Sequence, residues 1–218
     1  MFNKDVYDLT NAQKSIWLTE QYLKGTSIGN ISGIISINQK IDIPKLITSI
    51  KEFVNRNDSM RTRIFVEDGS PKQFFENKLD FEIPTHQFVS KKEVGLFAKK
   101  IATTPFNLIN SNLFSFDIFT LPKGDGGIIV SIHHIISDAW TSGLIVTEIM
   151  DIYESLLNTN QLNDYTKVSY IDYINSEKNY LNSPKFEKDA EFWNSIFDSI
   201  PLVAGIPSKK RLTRQVSH

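Results

Sequence analysis

The stretch Ile128–Trp140 constrains the fold of this chain more than any other. It reads Ile-Ile-Val-Ser-Ile-His-His-Ile-Ile-Ser-Asp-Ala-Trp, so β-branched residues, which favour strands, lead directly into two histidines and an aspartate. Successive side chains of a strand point to opposite faces, which places Ile132 and His134 on one face and His133 on the other. We therefore expect different roles for the two histidines, one held by the structure and one available for proton transfer.

The segments around this strand predict an α+β domain. The strand at 113–120 is expected to be its antiparallel neighbour, and 62–67 with 72–76 should form a hairpin. Strict βαβ alternation is absent, so the sheet is predicted to be mixed or antiparallel and packed against helices, with more helices at the C-terminal end. Trp17 and Trp193 lie on amphipathic stripes and are predicted to be core residues. Further elements are predicted from capping and periodicity: a strand at 30–38, and helices at 10–24, from Asp42, from Ser90, after Trp140, at 170–181 and at 184–200.

Composition excludes several classes of function. The 24 basic and 25 acidic residues give a net charge of -1, which argues against a nucleic-acid binder. The chain has no cysteine, so disulfides, thiolate metal sites and cysteine nucleophiles are excluded, and a cytoplasmic location is expected. No segment approaches the ~18 consecutive apolar residues of a membrane span, so no membrane association is predicted.

Two interpretations of the histidine pair involve no catalysis. Both side chains could be polar residues at a strand end that are satisfied by backbone groups. A metal site is a second interpretation, but opposed strand faces keep His133 and His134 from one ion, and only His86 and His218 could add a third imidazole. We predict no metal.

Two catalytic patterns are poorly matched. Ser137 lies between His134 and Asp138, but no Gly-x-Ser-x-Gly elbow surrounds it, and three sequence neighbours seldom form a triad. His133 and Asp138 also fit the His-x-x-x-x-Asp pattern of glycerolipid acyltransferases, yet no membrane-associating segment or partner motif accompanies them. The triad is therefore set aside, and the acyltransferase pattern stays a distant alternative.

The favoured interpretation makes His134 a base for an attacking amine or hydroxyl. Imidazole titrates near pH ~6.5, so its neutral form is abundant at pH 7. Asp138 would then be structural and, if buried, would need a cation. Arg56, Arg61 and Arg63 are the candidates, although the first two could instead interact favourably with the end of a helix.

At these residues the chain resembles a known family. His133–Ala139 is similar to the His-His-x-x-x-Asp-Gly signature of nonribosomal peptide synthetase condensation domains, which belong to the chloramphenicol acetyltransferase-like superfamily. Other family motifs are matched in the same order along the chain. They are Leu9–Gln13 with Ile16 and Trp17, Arg56–Arg63, Tyr170–Tyr173, and Phe192 and Trp193 followed by Pro201 and Pro207.

The resemblance implies a role for each residue of the site. His134 matches the catalytic second histidine and His133 the mainly structural first. Asp138 matches an aspartate that forms a structural salt bridge with an arginine of the second motif, here either Arg56 or Arg61.

Three further residues complete the motif loop. Ser137 and Trp140 flank the aspartate, and Ala139 replaces the family's glycine. Alanine is harmless at that position unless the backbone there needs a positive φ, which would strain it by roughly 1–2 kcal/mol.

The resemblance also implies the reaction and its partners. An acceptor aminoacyl amine attacks a donor acyl thioester, and donor and acceptor carrier proteins hold both groups on phosphopantetheine arms. The chain itself is expected to bind no cofactor. The product would belong to antibiotic biosynthesis.

Length limits this interpretation, because family enzymes have two lobes with the active site between them. We predict that residues 1–182 form the N-terminal lobe, and that 183–218 form a helix and linker leading toward a C-terminal lobe that is absent from this chain. Self-association is an alternative way to complete the site. Two other functions stay open: a non-catalytic carrier-protein-binding module, and an acyltransferase that uses a free hydroxyl or amine acceptor.

Overall fold

The structure, a computed structural model, describes residues 5–166, 168–197 and 199. The chain divides into two compact units, Met1–Asn175 and Ser176–His218. The described residues form strands β1 (Tyr7–Asp8), β2 (Asn30–Ile37), β3 (Thr62–Glu67), β4 (Ser70–Phe75), β5 (Thr85–Gln87), β6 (Phe114–Thr120) and β7 (Gly126–His133), and helices α1 (Asn11–Tyr22), α2 (Ile43–Arg56), α3 (Lys91–Ala102), α4 (Ala139–Thr159), α5 (Tyr170–Leu181) and α6 (Pro184–Ile196).

Five of the six α-helices in the described residues begin where their sequences predict, and α4 begins at Ala139, just before the predicted start after Trp140. Thr10 and Gln13 form a capping box at the start of α1, each side chain bonded to the backbone of the other. Asp42 caps α2 by accepting from the Lys45 amide, and Ser90 caps α3 in the same way. α1 ends two residues before the predicted Lys24.

Two sheets make up the β structure of the first unit. β1, β4 and β3 form a three-stranded sheet in that order, and the predicted hairpin is its β3–β4 pair. The other sheet has the order β2-β7-β6-β5. β7 is antiparallel to both of its neighbours, and only β5 pairs in parallel, so the prediction of a mixed sheet is confirmed. β1 and β5 are short strands that the sequence patterns did not predict.

Helices cover both faces of the four-stranded sheet. On one face, Phe116 and Ile118 of β6 and Ile128 of β7 join the main core with residues of α2 and α4. On the other face, Phe119 and Ile129 pack with Val94 of α3. β7 is therefore buried on both sides, which explains why its sequence is a nearly continuous apolar run. The last residue of β7, His133, is therefore buried.

In the second unit, α6 begins at the Ser183 cap and ends at Ile196, four residues before the predicted end. Trp17 is buried as predicted, but Trp193 is 56% exposed, so its assignment to the core was wrong. The Trp193 ring instead contacts Phe192 and Phe197 of the same segment, with centroids 5.4 and 5.8 Å away. The predicted linker at 201–218, including Pro201 and Pro207 of the last matched motif, lies outside the described residues.

Candidate active site

The two histidines differ because the strand stops between them. β7 ends at His133, and His134 opens a single 3₁₀ turn, His134–Ile136. His133 is 1% exposed, whereas His134 is exposed. The prediction of distinct roles agrees with this burial. Its stated cause, alternation within one strand, was wrong, because His134 has already left the strand.

His134 is held by two backbone carbonyls. Its amide donates to the Gly29 carbonyl at 2.7 Å, just before β2. Its ring nitrogen Nδ1 lies 2.7 Å from the Ser137 carbonyl oxygen. A carbonyl can only accept, so Nδ1 carries the hydrogen, and the neutral tautomer with this hydrogen has its lone pair on Nε2.

His133 has the opposite tautomer. Its Nδ1 accepts from the Ile135 amide at 3.1 Å, which leaves the hydrogen on Nε2. Nε2 donates to Glu20 Oε1 of α1, also at 3.1 Å. Burial lowers the pKa of His133, and the Glu20 carboxylate offsets part of that effect. His133 therefore acts as a neutral structural connector.

The remaining loop residues close the turn and start α4. The Ser137 hydroxyl donates to the His133 carbonyl at 3.2 Å, so it bonds to backbone and forms no triad. Ala139 is the first residue of α4 and has no positive φ, so alanine is unstrained where the family motif has glycine. Trp140 is 78% exposed.

Asp138 does not form the expected salt bridge. It is the N-cap of α4, and its Oδ1 accepts from the amide and the hydroxyl of Thr141 at 2.8 and 2.7 Å. These hydrogen bonds lower the pKa of Asp138. The carboxylate is exposed, so it needs no buried cation, and neither Arg56 nor Arg61 is among its partners in the described part of the chain.

Arg56 instead joins the end of α2 to the segment that follows α4. It contacts Glu52 at 2.9 Å and the side chain and backbone of Asn163 at 3.0 and 2.8 Å. Its guanidinium also lies over the Tyr165 ring, 4.3 Å from the centroid.

Arg61 is buried and bonds to backbone oxygens. It donates to the Glu76 carbonyl at 2.7 Å and to the carbonyls of Val54 and Asn55 in the last turn of α2. The alternative interpretation, an arginine at a helix end, is the one that fits Arg61.

Sequence reasoning missed three residues that hold the loop. Gln13 donates to the Ile135 carbonyl at 3.2 Å, and Glu20 accepts from His133. Both lie on the face of α1 that carries the buried Trp17, because positions 13, 17 and 20 share one side of a helix. A carboxylate on that face was the available signal. The sequence around Gly29 contained no such signal, because the need for glycine there depends on the side chains of Glu20 and His133.

A cavity of about 810 Å³ lies beside this loop, between α2, α4 and the segment before α5. Trp140 and Thr141 line one end of it, but His134 does not. His134 is exposed and lies outside the lining of this cavity. Among the described residues, no three or more His, Cys, Asp or Glu side chains are grouped so that they could hold a metal ion. None of the described helices has the length and apolar character of a membrane span.

The family profile described as Condensation domain matches residues 3–217. The chain belongs to this family. Surfactin synthase subunit 1 of Bacillus subtilis (strain 168) is 33% identical over 207 residues, which cover 92% of this chain and 6% of that protein. Gramicidin S synthase 2 of Aneurinibacillus migulanus is 26% identical over 206 residues, covering 94% and 4%.

Solved condensation domains share the fold. The starter condensation domain of rhizomide synthetase RzmA superimposes with a TM-score of 0.82 at 18% identity, covering 88% of this chain and 48% of that chain. The first condensation domain of the calcium-dependent antibiotic synthetase gives 0.80 over 91% of this chain and 49% of that chain. The predicted α+β condensation-domain fold is confirmed, and the chain spans about half of these solved chains.

Proposed function

We propose that this condensation-domain chain supplies the half of an amide-forming acyltransferase site that carries the base, His134. One observation carries the proposal: the Nδ1 hydrogen of His134, an exposed residue, is bonded to the Ser137 carbonyl, so the neutral tautomer has its lone pair on Nε2. Membership of the condensation family supplies the class of reaction. His133 and Asp138 support the loop, the first through α1 and the second by starting α4.

The proposed chemistry needs Nε2 of His134 to accept one proton. An acceptor amine attacks the carbonyl carbon of a donor thioester, the new C–N bond forms, and the C–S bond breaks. His134 takes the amine proton as charge develops on nitrogen and returns it to the leaving thiolate, so the amide and a free thiol are the products. The fixed Nδ1–H orients the ring throughout, because the Ser137 carbonyl belongs to the loop backbone.

Membership of the condensation family supports a proposal for substrates and partners. We propose that donor and acceptor carrier proteins bring the two groups on phosphopantetheine arms, so that this chain binds no cofactor of its own. The exposed position of His134 supports a site whose other wall is protein outside the described residues. That wall would be a C-terminal lobe, since this chain aligns with 48% of a solved starter condensation domain. A second copy of the chain is the alternative.

The test is condensation by the natural gene product that carries residues 1–218, with donor and acceptor loaded on carrier proteins. His134→Ala should lower the rate of amide formation by about 10²–10⁴-fold, the usual contribution of a positioned base. His86→Asn is the matched control, because His86 pairs with Asp117 on β6 and asparagine keeps a donor for that buried carboxylate. Its rate should match that of the unmodified protein. An unchanged rate in His134→Ala would refute the proposal.

Two further measurements separate the alternatives. Carrier-protein binding without turnover, in the unmodified gene product, would identify a binding module. Equal turnover of a free amine and a carrier-bound amine would identify an acyltransferase with an untethered acceptor. The proposal expects turnover that depends on the carrier-bound acceptor.

A further inference from the structure

The Glu20–His133 pair occupies space that a side chain on residue 29 would need. A Cβ added at Gly29 would lie 2.3 Å from His133 Nε2 and 2.5 Å from Glu20 Oε1. No positive φ is involved there, so glycine is required by this close approach and by nothing in its own backbone. α1, the residue before β2 and the end of β7 therefore come together around the Glu20–His133 hydrogen bond.

That hydrogen bond determines which nitrogen of His133 carries the hydrogen. A carboxylate only accepts, so Glu20 selects the Nε2–H form. Nδ1 is then free to accept from the Ile135 amide, which lies in the 3₁₀ turn that begins with His134. With the hydrogen on Nδ1, the ring would present a donor to another donor, and the first bond of the turn would be lost.

The 3₁₀ turn then orients the exposed imidazole of His134. The His134 amide bonds to the Gly29 carbonyl, and its Nδ1 reaches the Ser137 carbonyl at the end of the same turn. The Glu20 side chain is only 11% exposed, so water competes weakly for its carboxylate. The two adjacent histidines thus have opposite tautomers, with the Glu20 carboxylate bonded to one ring and the Ser137 carbonyl to the other.

We propose that Glu20 and Gly29 are positioning residues for His134: they hold His133 as its Nε2–H tautomer, and His133 in turn holds His134 with Nε2 free. This inference rests on the proposed function for its catalytic meaning, but the tautomers are measurable without any reaction. Neither residue touches the reacting groups.

The first test is long-range ¹H–¹⁵N NMR of the 218-residue chain, which shows which imidazole nitrogens carry hydrogen. We expect Nε2–H for His133 and Nδ1–H for His134. An Nδ1–H form or a tautomer mixture at His133 would overturn the proposal without any variant.

Variants then test the connection between the two rings. Glu20→Gln keeps an oxygen acceptor and should preserve both tautomers, whereas Glu20→Ala and Gly29→Ala should each give mixed tautomers at His134. Gly33→Ala is the matched control for Gly29→Ala, because nothing lies within 4 Å of a Cβ added there. A folded Glu20→Ala chain whose His134 remains entirely Nδ1–H would refute the role of Glu20.

Activity in the natural gene product gives the functional consequence. Glu20→Ala should lower kcat by about 10²-fold, as misplacement of a catalytic group by about 1 Å can do, with KM for the carrier proteins unchanged. Glu20→Gln should restore most of the rate. If the tautomers behave as expected but His134→Ala leaves condensation intact, the proposed function fails and the positioning holds. If His134→Ala abolishes condensation while Glu20→Ala leaves kcat unchanged, the positioning fails.

Discussion

The Asp138 carboxylate accepts two hydrogen bonds from one residue, the amide and the hydroxyl of Thr141, at 2.8 and 2.7 Å. This relationship fixes the first turn of α4 directly after the histidine loop. It also places Asp138 at the positive end of the helix, where a carboxylate is favoured. Asp138 thus supports the site as a helix cap.

Replacing Asp138 should therefore affect stability in the manner of an N-cap. Asp138→Ala should lower the free energy of unfolding in urea by about 1 kcal/mol, whereas Asp138→Asn should lose less, because asparagine is also a good cap. Equal losses in the two variants would contradict a capping role.

The same hydrogen bonds predict a dependence on acid. They lower the pKa of Asp138 in the folded state, so the unfolded chain binds the proton more readily. The contribution is present above the unfolded pKa of about 3.9 and is lost as pH falls through the lower folded pKa. Asp138→Asn should remove this part of the acid dependence in urea unfolding measured from pH 5 down to pH 2.

His133 predicts a pH dependence in a higher window. Burial lowers its pKa in the folded state, with Glu20 opposing and His134 adding to that shift, while the unfolded imidazole titrates near pH ~6.5. The unfolded chain therefore binds more protons between the two pKa values, and stability should fall as pH drops below about 6.5. The measurement is the free energy of unfolding from pH 8 to pH 5. His133→Asn cannot titrate there, and an unchanged slope in that variant would count against this assignment.

Arg61 predicts a large loss of stability for a conservative change. Lysine cannot reproduce a fork that reaches the carbonyls of Val54, Asn55 and Glu76 together. Arg61→Lys should lower the free energy of unfolding by about 2–3 kcal/mol, because buried carbonyls lose their donors. Arg63→Lys is the comparison: Arg63 is only partly buried and contacts Ser111 and Asn112, so its loss should be smaller. Similar losses in the two variants would contradict the argument.

Local sequence signals predicted most of the fold because they act within a few residues. The Thr10 capping box and the β3–β4 hairpin depend on neighbours, and both are present. The Asp138 cap had a local signal as well, since an aspartate precedes an apolar helix. The resemblance to the family predicted a salt bridge between Asp138 and an arginine instead, and Asp138 forms none in the described part of the chain.

The support of the histidine loop was less predictable because its residues are far apart in the sequence. Glu20 and His133 are 113 positions apart, and the requirement at Gly29 exists only once both side chains are in place. Periodicity shows that Glu20 lies on the buried face of α1, but it does not say which strand end meets that face. The proposed control of the His133 and His134 tautomers depends on this contact between α1 and the end of β7.

Gly127 of β7 and Gly33 of β2 predict opposite outcomes for the same change to alanine. A Cβ at Gly127 would lie 1.9 Å from the Ile35 carbonyl oxygen of β2, a backbone atom that cannot move without opening the β2–β7 pair. Gly127→Ala should therefore lower the free energy of unfolding by about 3 kcal/mol, the upper end of the usual overpacking range. Gly33→Ala, on β2 in open space, should change it by less than about 0.5 kcal/mol. Urea unfolding of the two variants gives the comparison, and a Gly127→Ala chain as stable as Gly33→Ala would mean that β7 tolerates a wider spacing from β2 than these contacts allow.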